Sequence, residues 1–214
     1  MLLYQILPPS IADKLRLGIK PEPEYFEELY KKDKDPWHFA TSAYEHAKYA
    51  ATLEILKGQP FGTVFEAGCS IGILTKALAL NCDSVLAVDV SESALANAVR
   101  NCGALGNVTI DYMRIPAEWP AGSFDLILLS EVLYYLSPPD VRATARKTLQ
   151  SLSSTGRVLL VNWLGETDYP CSGDEACNLF MSAAKNDLRV IKQHRNGDYR
   201  MDLLGLASPR TGDA

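Results

Sequence analysis

The sequence holds 214 residues, 47% of them hydrophobic and 22% charged, with a formal charge of −5. That composition describes one globular domain and excludes disordered or collagen-like structure. No apolar run approaches the ~18 residues of a membrane span, and an acidic chain without a Lys/Arg stripe does not suit nucleic acid as its main partner. The opening MLLYQILPPS has no basic residue before its short apolar run and no small-residue cleavage pattern, so it does not read as a signal peptide. Five scattered cysteines (69, 82, 102, 171, 177) fit a reducing cytoplasm better than a disulfide framework.

Two helices are predicted before the first strand. Tyr25, Phe26, Leu29 and Tyr30 form an apolar stripe, with Glu27/Lys31 and Glu28/Lys32 as i,i+4 pairs opposite. Ser42-Ala43-Tyr44-Glu45 reads as a capping box opening a helix that Gly58 ends. An aromatic turn, Asp35-Pro36-Trp37-His38-Phe39, lies between them. Short apolar runs then alternate with helical patterns. Strands are expected at 61–66, 83–89, 108–112, 124–130 and 158–163, the last preceded by Gly156. The first intervening helix, within 71–80, has apolar residues at 73, 74, 77 and 78; the next buries Leu95, Ala98, Val99 and Cys102; the third, after the Ser137-Pro138-Pro139-Asp140 start signal, buries Val141, Ala145, Thr148, Leu149 and Leu152. A helix over 174–186 precedes two strands, 188–195 and 199–204, flanking an Asn196-Gly197 turn. The expected fold is α/β, Rossmann-like: a mostly parallel seven-stranded sheet with a C-terminal antiparallel hairpin and helices on both faces. The single domain divides into a helical cap (1–58), an α/β core (59–206) and a frayed tail (207–214).

The sharpest chemical signal is Glu66-Ala67-Gly68-Cys69-Ser70-Ile71-Gly72 at the end of the first strand. A dinucleotide fingerprint requires G-x-G-x-x-G, but Ile73 and Ser70 break that spacing. The pattern E-x-G-x-S-x-G instead resembles the first motif of class I S-adenosylmethionine (SAM) methyltransferases. An acid at the strand end repels a pyrophosphate but tolerates the cationic sulfonium and amine of SAM. Gly68 and Gly72 let the backbone approach a ligand, and Asp89, at the end of the second strand, suits the two ribose hydroxyls, its rival role being a helix cap beside Ser91. Val90 follows Asp89, and the loop Met113-Arg114-Ile115-Pro116 offers backbone contacts to adenine through Arg114 and Ile115. The fourth strand ends in Ser130-Glu131-Val132-Leu133-Tyr134-Tyr135, at the crevice where such sheets hold ligands. Glu131 is the candidate proton acceptor and His38 the runner-up. Tyr134, Tyr135, Asn162 and Trp163 are candidate substrate contacts, although tyrosine and tryptophan at such positions also serve as packing residues. Trp37 is expected to close over SAM. No His/Cys/Asp cluster has metal-ligand spacing.

The segment DPWHFATSAYEHAKYAATLEIL (35–56), with FEAGCSIGILT and SEVLYYL, resembles the nodulation protein S family over nearly the whole chain. That resemblance implies a SAM-dependent N-methyltransferase. The implied acceptor is the free amine of the non-reducing-end glucosamine of a deacetylated chitooligosaccharide, a Nod factor precursor, and the product of the cofactor is S-adenosylhomocysteine. Glu66, Gly68, Ser70, Gly72 and Asp89 would hold SAM, with Ser70 departing from the usual middle glycine. The rival readings are methylation of another amine or hydroxyl, a dinucleotide-dependent oxidoreductase, and a SAM-binding domain without catalysis.

Overall fold

A computed structural model of the chain describes residues 20–208. The expected tail (207–214) and the first part of the cap therefore lie largely outside the described residues. Chain order is α1 (Pro23–Lys32), α2 (Ala43–Leu56), β1 (Phe61–Ala67), α3 (Ile73–Ala79), β2 (Cys82–Asp89), α4 (Glu92–Cys102), β3 (Val108–Tyr112) and β4 (Phe124–Ser130). A single 3₁₀ turn (Leu133–Tyr135) follows, then α5 (Pro138–Ser151), β5 (Leu152–Trp163), α6 (Gly173–Ala183), β6 (Leu188–Arg195) and β7 (Tyr199–Leu206).

The seven strands run in the order β3-β2-β1-β4-β5-β7-β6. The first five are parallel, and β7 is antiparallel to both β5 and β6. Strand β4 shows why the sheet needs helices on both faces. Leu126 and Leu128 enter one core with Val64, Leu159 and Met201, whereas Ile127 and Leu129 enter the other with Phe65, Leu133 and Phe180. Side chains alternate across a strand, so an unbroken apolar run has two faces to bury. With the parallel strands aligned, the ends of β1, β2 and β4 meet at one edge of the sheet, and α1 and α2 come over that edge.

Several local expectations are corrected. Leu152 is not the last turn of α5; it opens β5 and pairs with Phe124 before a bulge that realigns Leu126 with Arg157. Val99 is 53% exposed, and Ala94 takes its place on the buried stripe of α4. Ser42 does cap α2 by accepting the Glu45 N–H, but Glu45 turns inward to Lys48 rather than back to the cap. The complete capping box is Ser172/Glu175 at the start of α6. Among the described residues no helix is long and apolar enough to cross a membrane.

Candidate active site

The strand ends and the cap enclose a cavity of about 330 Å³, inside the ~300–1,000 Å³ range of small-molecule sites. Its floor comes from β1, β2 and their loops. Ser70 adopts a left-handed conformation, φ +52°, where the middle glycine of the motif was expected. Two contacts hold it there: its N–H donates to Asp89 Oδ2 at 2.9 Å, and its hydroxyl meets that of Tyr30 from α1. The other oxygen of Asp89 accepts the Ser91 N–H at 3.0 Å, while Ser91 itself caps α4. Asp89 is therefore not the helix cap. It is a carboxylate fixed by two backbone donors with lone pairs left over at the cavity surface, and burial raises its pKa above the ordinary aspartate value.

The two glycines act differently from expectation. A side chain on Gly68 would meet Val132 at 2.2 Å, and one on Gly72 would meet Ala98 and Cys102 at 3.1 Å. Both sit at positive φ, +81° and +78°. Gly68 thus lets the loop fold under the end of β4 at the cavity, whereas Gly72 lies outside the cavity lining and serves the packing of α3 on α4. Glu66 also leaves the main cavity. It lines a smaller adjoining recess and accepts the Thr75 hydroxyl at 2.6 Å, and burial lifts its carboxyl to about 7.

Val90, Trp37, Ser130, Arg114 and Ile115 line the main cavity. The backbone of Arg114 is already engaged at both ends by Glu118, its N–H at 2.7 Å and its carbonyl at 2.9 Å, and its guanidinium pairs with Glu22. Of the two expected adenine contacts, Ile115 is the one not committed in this way.

On the far side Glu131, at φ +57°, directs its carboxylate into three donors. Lys48 Nζ reaches Oε1 at 2.9 Å; the Tyr134 hydroxyl and the Trp163 N–H reach Oε2 at 2.7 and 3.1 Å. Glu131, the expected proton acceptor, thus already accepts three hydrogen bonds, which leaves little of its bonding capacity free. Tyr134, Tyr135 and Trp163 all line the cavity, joined by Phe26 of α1 and Tyr169 of the loop after β5. Phe26 meets Tyr135 edge-on at 5.0 Å, and Tyr169 stacks on Tyr134 at 5.8 Å.

Two candidates fall outside. His38 is exposed, holds the aromatic turn at φ +58° and is not among the residues lining this cavity or the adjoining recess. Asn162 is fully buried beneath α6, with its amide donating to Cys177 Sγ at 3.1 Å. Neighbouring residues of a strand point to opposite faces, so Trp163 takes the cavity and Asn162 the core. Phe26 and Tyr169 were not among the expected site residues, nor were Tyr30, Tyr44, Glu45 and Lys48, which also line the cavity. The available signal was Tyr44…Lys48 at i,i+4 with Glu45 beside it, a polar cluster inside an otherwise apolar helix; Lys48 lies 5.0 Å over the Tyr44 ring.

The cavity fits SAM better than a dinucleotide. Asp89 supplies a fixed carboxylate for a diol, and Met113 and Ile115 supply apolar flanks for a base. The Gly68–Ser70 loop meets the acids Asp89 and Glu66 rather than any cation, an unfavourable setting for a pyrophosphate. Among the described residues there is no metal-ligand cluster.

Comparison with known proteins gives the same direction. A family model described as nodulation protein S (NodS) matches residues 23–167. Nodulation protein S of Bradyrhizobium diazoefficiens is 30% identical over 154 residues, which cover 70% of this chain and 68% of that protein. A ubiquinone biosynthesis O-methyltransferase of Pseudomonas paraeruginosa is 34% identical over 102 residues, 46% of this chain and 43% of that one. The crystal structure of N-methyltransferase NodS from Bradyrhizobium japonicum WM9, in complex with S-adenosylhomocysteine, superimposes with a TM-score of 0.74 at 18% identity, covering 88% of this chain and all of that one, and so shares the fold. With this sheet order, this strand-end cavity and these relatives, the chain belongs to the nodulation protein S family of SAM-dependent methyltransferases.

Proposed function

We propose that the chain methylates the free amine of the non-reducing-end glucosamine of a deacetylated chitooligosaccharide. The observation that carries this reading is the position of Glu131: a carboxylate just after β4, lining the same cavity as Asp89 and walled by Tyr134, Tyr135 and Trp163. A carboxylate attracts an ammonium group, and aromatic faces suit the apolar face of a sugar ring. A neutral hydroxyl acceptor brings no positive charge for that carboxylate to pair with. The reading places the work in the cytoplasm, where the five free thiols of this chain persist.

In this reading Asp89, the Gly68–Ser70 loop, Val90 and Ile115 hold SAM, which supplies an already activated methyl group. The protein's own task is alignment and exclusion of water. Trp37, stacked on Phe39 at 5.7 Å and tilted against Tyr30 at 5.5 Å, covers the cofactor side. Phe26 and Tyr169 cover the acceptor side. Glu131, held by Lys48, Tyr134 and the Trp163 N–H, fixes where a positive acceptor group can sit.

Transfer of labelled methyl from SAM tests the reading, with chitotetraose deacetylated at its non-reducing end as acceptor and fully acetylated chitotetraose as control. Methylation of the deacetylated oligomer alone is expected. Transfer to neither, by protein that binds SAM in calorimetry, would move the acceptor to another small amine or alcohol.

A further inference from the structure

We propose that Glu45, rather than Glu131, takes the proton from the acceptor's ammonium group before methylation, with Lys48 acting as the positioning residue that separates the roles of the two carboxylates. This rests on the amine-acceptor reading above.

The geometry makes the two acids unequal. Lys48 is 2% exposed and sits between them, 2.9 Å from Glu131 Oε1 and 3.1 Å from Glu45 Oε1. Glu131 has two further donors, Tyr134 and the Trp163 N–H. Glu45 has none. Its Oε2 lies 3.0 Å from the same ammonium but makes no hydrogen bond, although the residue is only 7% exposed and lines the cavity. Both oxygens of Glu45 thus share one ammonium, whereas Glu131 draws on three donors, so Glu45 keeps accepting capacity for a donor that arrives with the ligand.

Charge counting points the same way. Two carboxylates around one ammonium leave a surplus of one negative charge in a pocket of aromatic walls, and one incoming ammonium group completes the set. The groups facing Glu45 are Lys48, Tyr44 and Tyr49 on its own helix, Glu131 from the loop after β4, and Asp35 from the turn before α2; Glu66 lies across the small recess. Burial raises the Glu45 carboxyl above the ordinary glutamate value, opposed by Lys48 and reinforced by Glu131 and Asp35. That shift moves it toward the working range of a general base.

The step is a proton transfer. The acceptor enters as R–NH₃⁺, one N–H bond breaks, the electron pair stays on nitrogen as the lone pair that attack requires, and the proton bonds to Glu45 Oε2. The neutral carboxyl returns its proton to solvent after product leaves. Glu131, fixed by its three donors, holds the amine in place.

The experiment compares wild type with Glu45→Gln, using deacetylated and fully acetylated chitotetraose. Calorimetry with protein saturated in S-adenosylhomocysteine reads acceptor binding without turnover. The expected result is an unchanged affinity of Glu45→Gln for S-adenosylhomocysteine, with at least a tenfold loss of its preference for the deacetylated oligomer. Its kcat/KM should also climb tenfold per pH unit up to the amine's own pKa, where the wild type has levelled off at lower pH, and Glu45→Asp should restore part of the rate. An unchanged preference and pH profile would overturn the role of Glu45 while leaving the amine acceptor standing. A wild type that neither binds nor methylates the deacetylated oligomer at any pH would overturn the acceptor reading, and this inference with it. If Glu45→Gln loses S-adenosylhomocysteine binding, wild type decides. A ¹³C-labelled glutamate carboxyl other than that of Glu66 titrating above the usual range and shifting with the deacetylated oligomer supports the proposal; no glutamate but the buried Glu66 titrating above that range, and none moved by the oligomer, overturns it.

Discussion

The floor of the cavity and its cap are built by opposite means. On the floor, polar groups are satisfied close by: Asp89 is held by the N–H of Ser91 two residues away and by that of Ser70 nineteen residues away. The cap is fastened by partners far along the chain. Glu27 accepts from Ser91 and Ser93 at 2.7 Å each, 64 and 66 residues distant, and Tyr25 meets Tyr169 at 3.1 Å across 144. Lys48 reaches Glu131 across 83. A floor made of strand ends is therefore as rigid as the sheet, whereas the cap closes only when the whole fold has formed.

Three substitutions test that contrast. The largest effect belongs to Lys48, the joint between the two regions. Lys48→Met leaves Glu45 and Glu131 as close carboxylates without their shared cation, and removing one member of a buried ion cluster costs about 3 kcal/mol or more. Urea denaturation at neutral pH should show that loss, and a stability within the error of wild type would mean that cap and floor are not joined there.

Next comes Glu66, which belongs to the floor alone. Its folded-state value of about 7 lies above that of an unfolded glutamate. The folded protein then binds more protons between roughly pH 4.3 and 7, so this group's contribution is full below that window and lost as pH rises through 7. Glu66→Gln should flatten that part of the stability curve and gain about 3 kcal/mol at pH 8 relative to wild type, less the cost of refitting Thr75. A curve of unchanged slope would refute the buried neutral acid.

The smallest of the three is Glu27, a latch of the cap. Burial raises its carboxyl, but hydrogen bonds from the Ser93 N–H and from the Ser93 and Ser91 hydroxyls, with Lys31 at 3.4 Å, outweigh it and bring it down to about 2. Its contribution is present above the ordinary glutamate value and is lost as pH falls toward 2. Glu27→Gln should cost about 2 kcal/mol at neutral pH. It should also speed amide exchange in α1 while leaving β1 and β2 protected; equal exchange in both would show that the cap is not separately fastened.

The same contrast governs how much could be read in advance. The alternation of β4, the acid–glycine loop and the Asn196-Gly197 turn are local, and each announced its element. Asp89 does line the cavity, and its two backbone donors, the Ser70 and Ser91 N–H groups, set aside the rival role of a helix cap. Glu45 was misassigned because Ser42-x-x-Glu45 satisfies a capping pattern, and only the fold brings in Lys48 and Glu131 to compete for its carboxylate. Asn162 and Trp163 looked alike at the end of a strand; pleating sent one to the core. Leu152 continued the apolar stripe of α5, yet pairing with Phe124 won because a strand end buried beside β4 needs its backbone bonded. His38 has the chemistry of a base, but the fold leaves it in an exposed turn outside the cavity lining.

Strand β7 carries a consequence for synthesis. It is the last strand of the described residues, yet it lies inside the sheet between β5 and β6 and is buried from Tyr199 through Gly205. As the chain emerges from the ribosome, β1 to β5 can associate in order, but β5 then presents an unpaired edge beside Leu159 and Val161. Such an edge invites pairing with other chains. The nascent protein stays adhesive until Leu206 is out, which makes the hairpin turn at Asn196-Gly197 the step that ends its exposure.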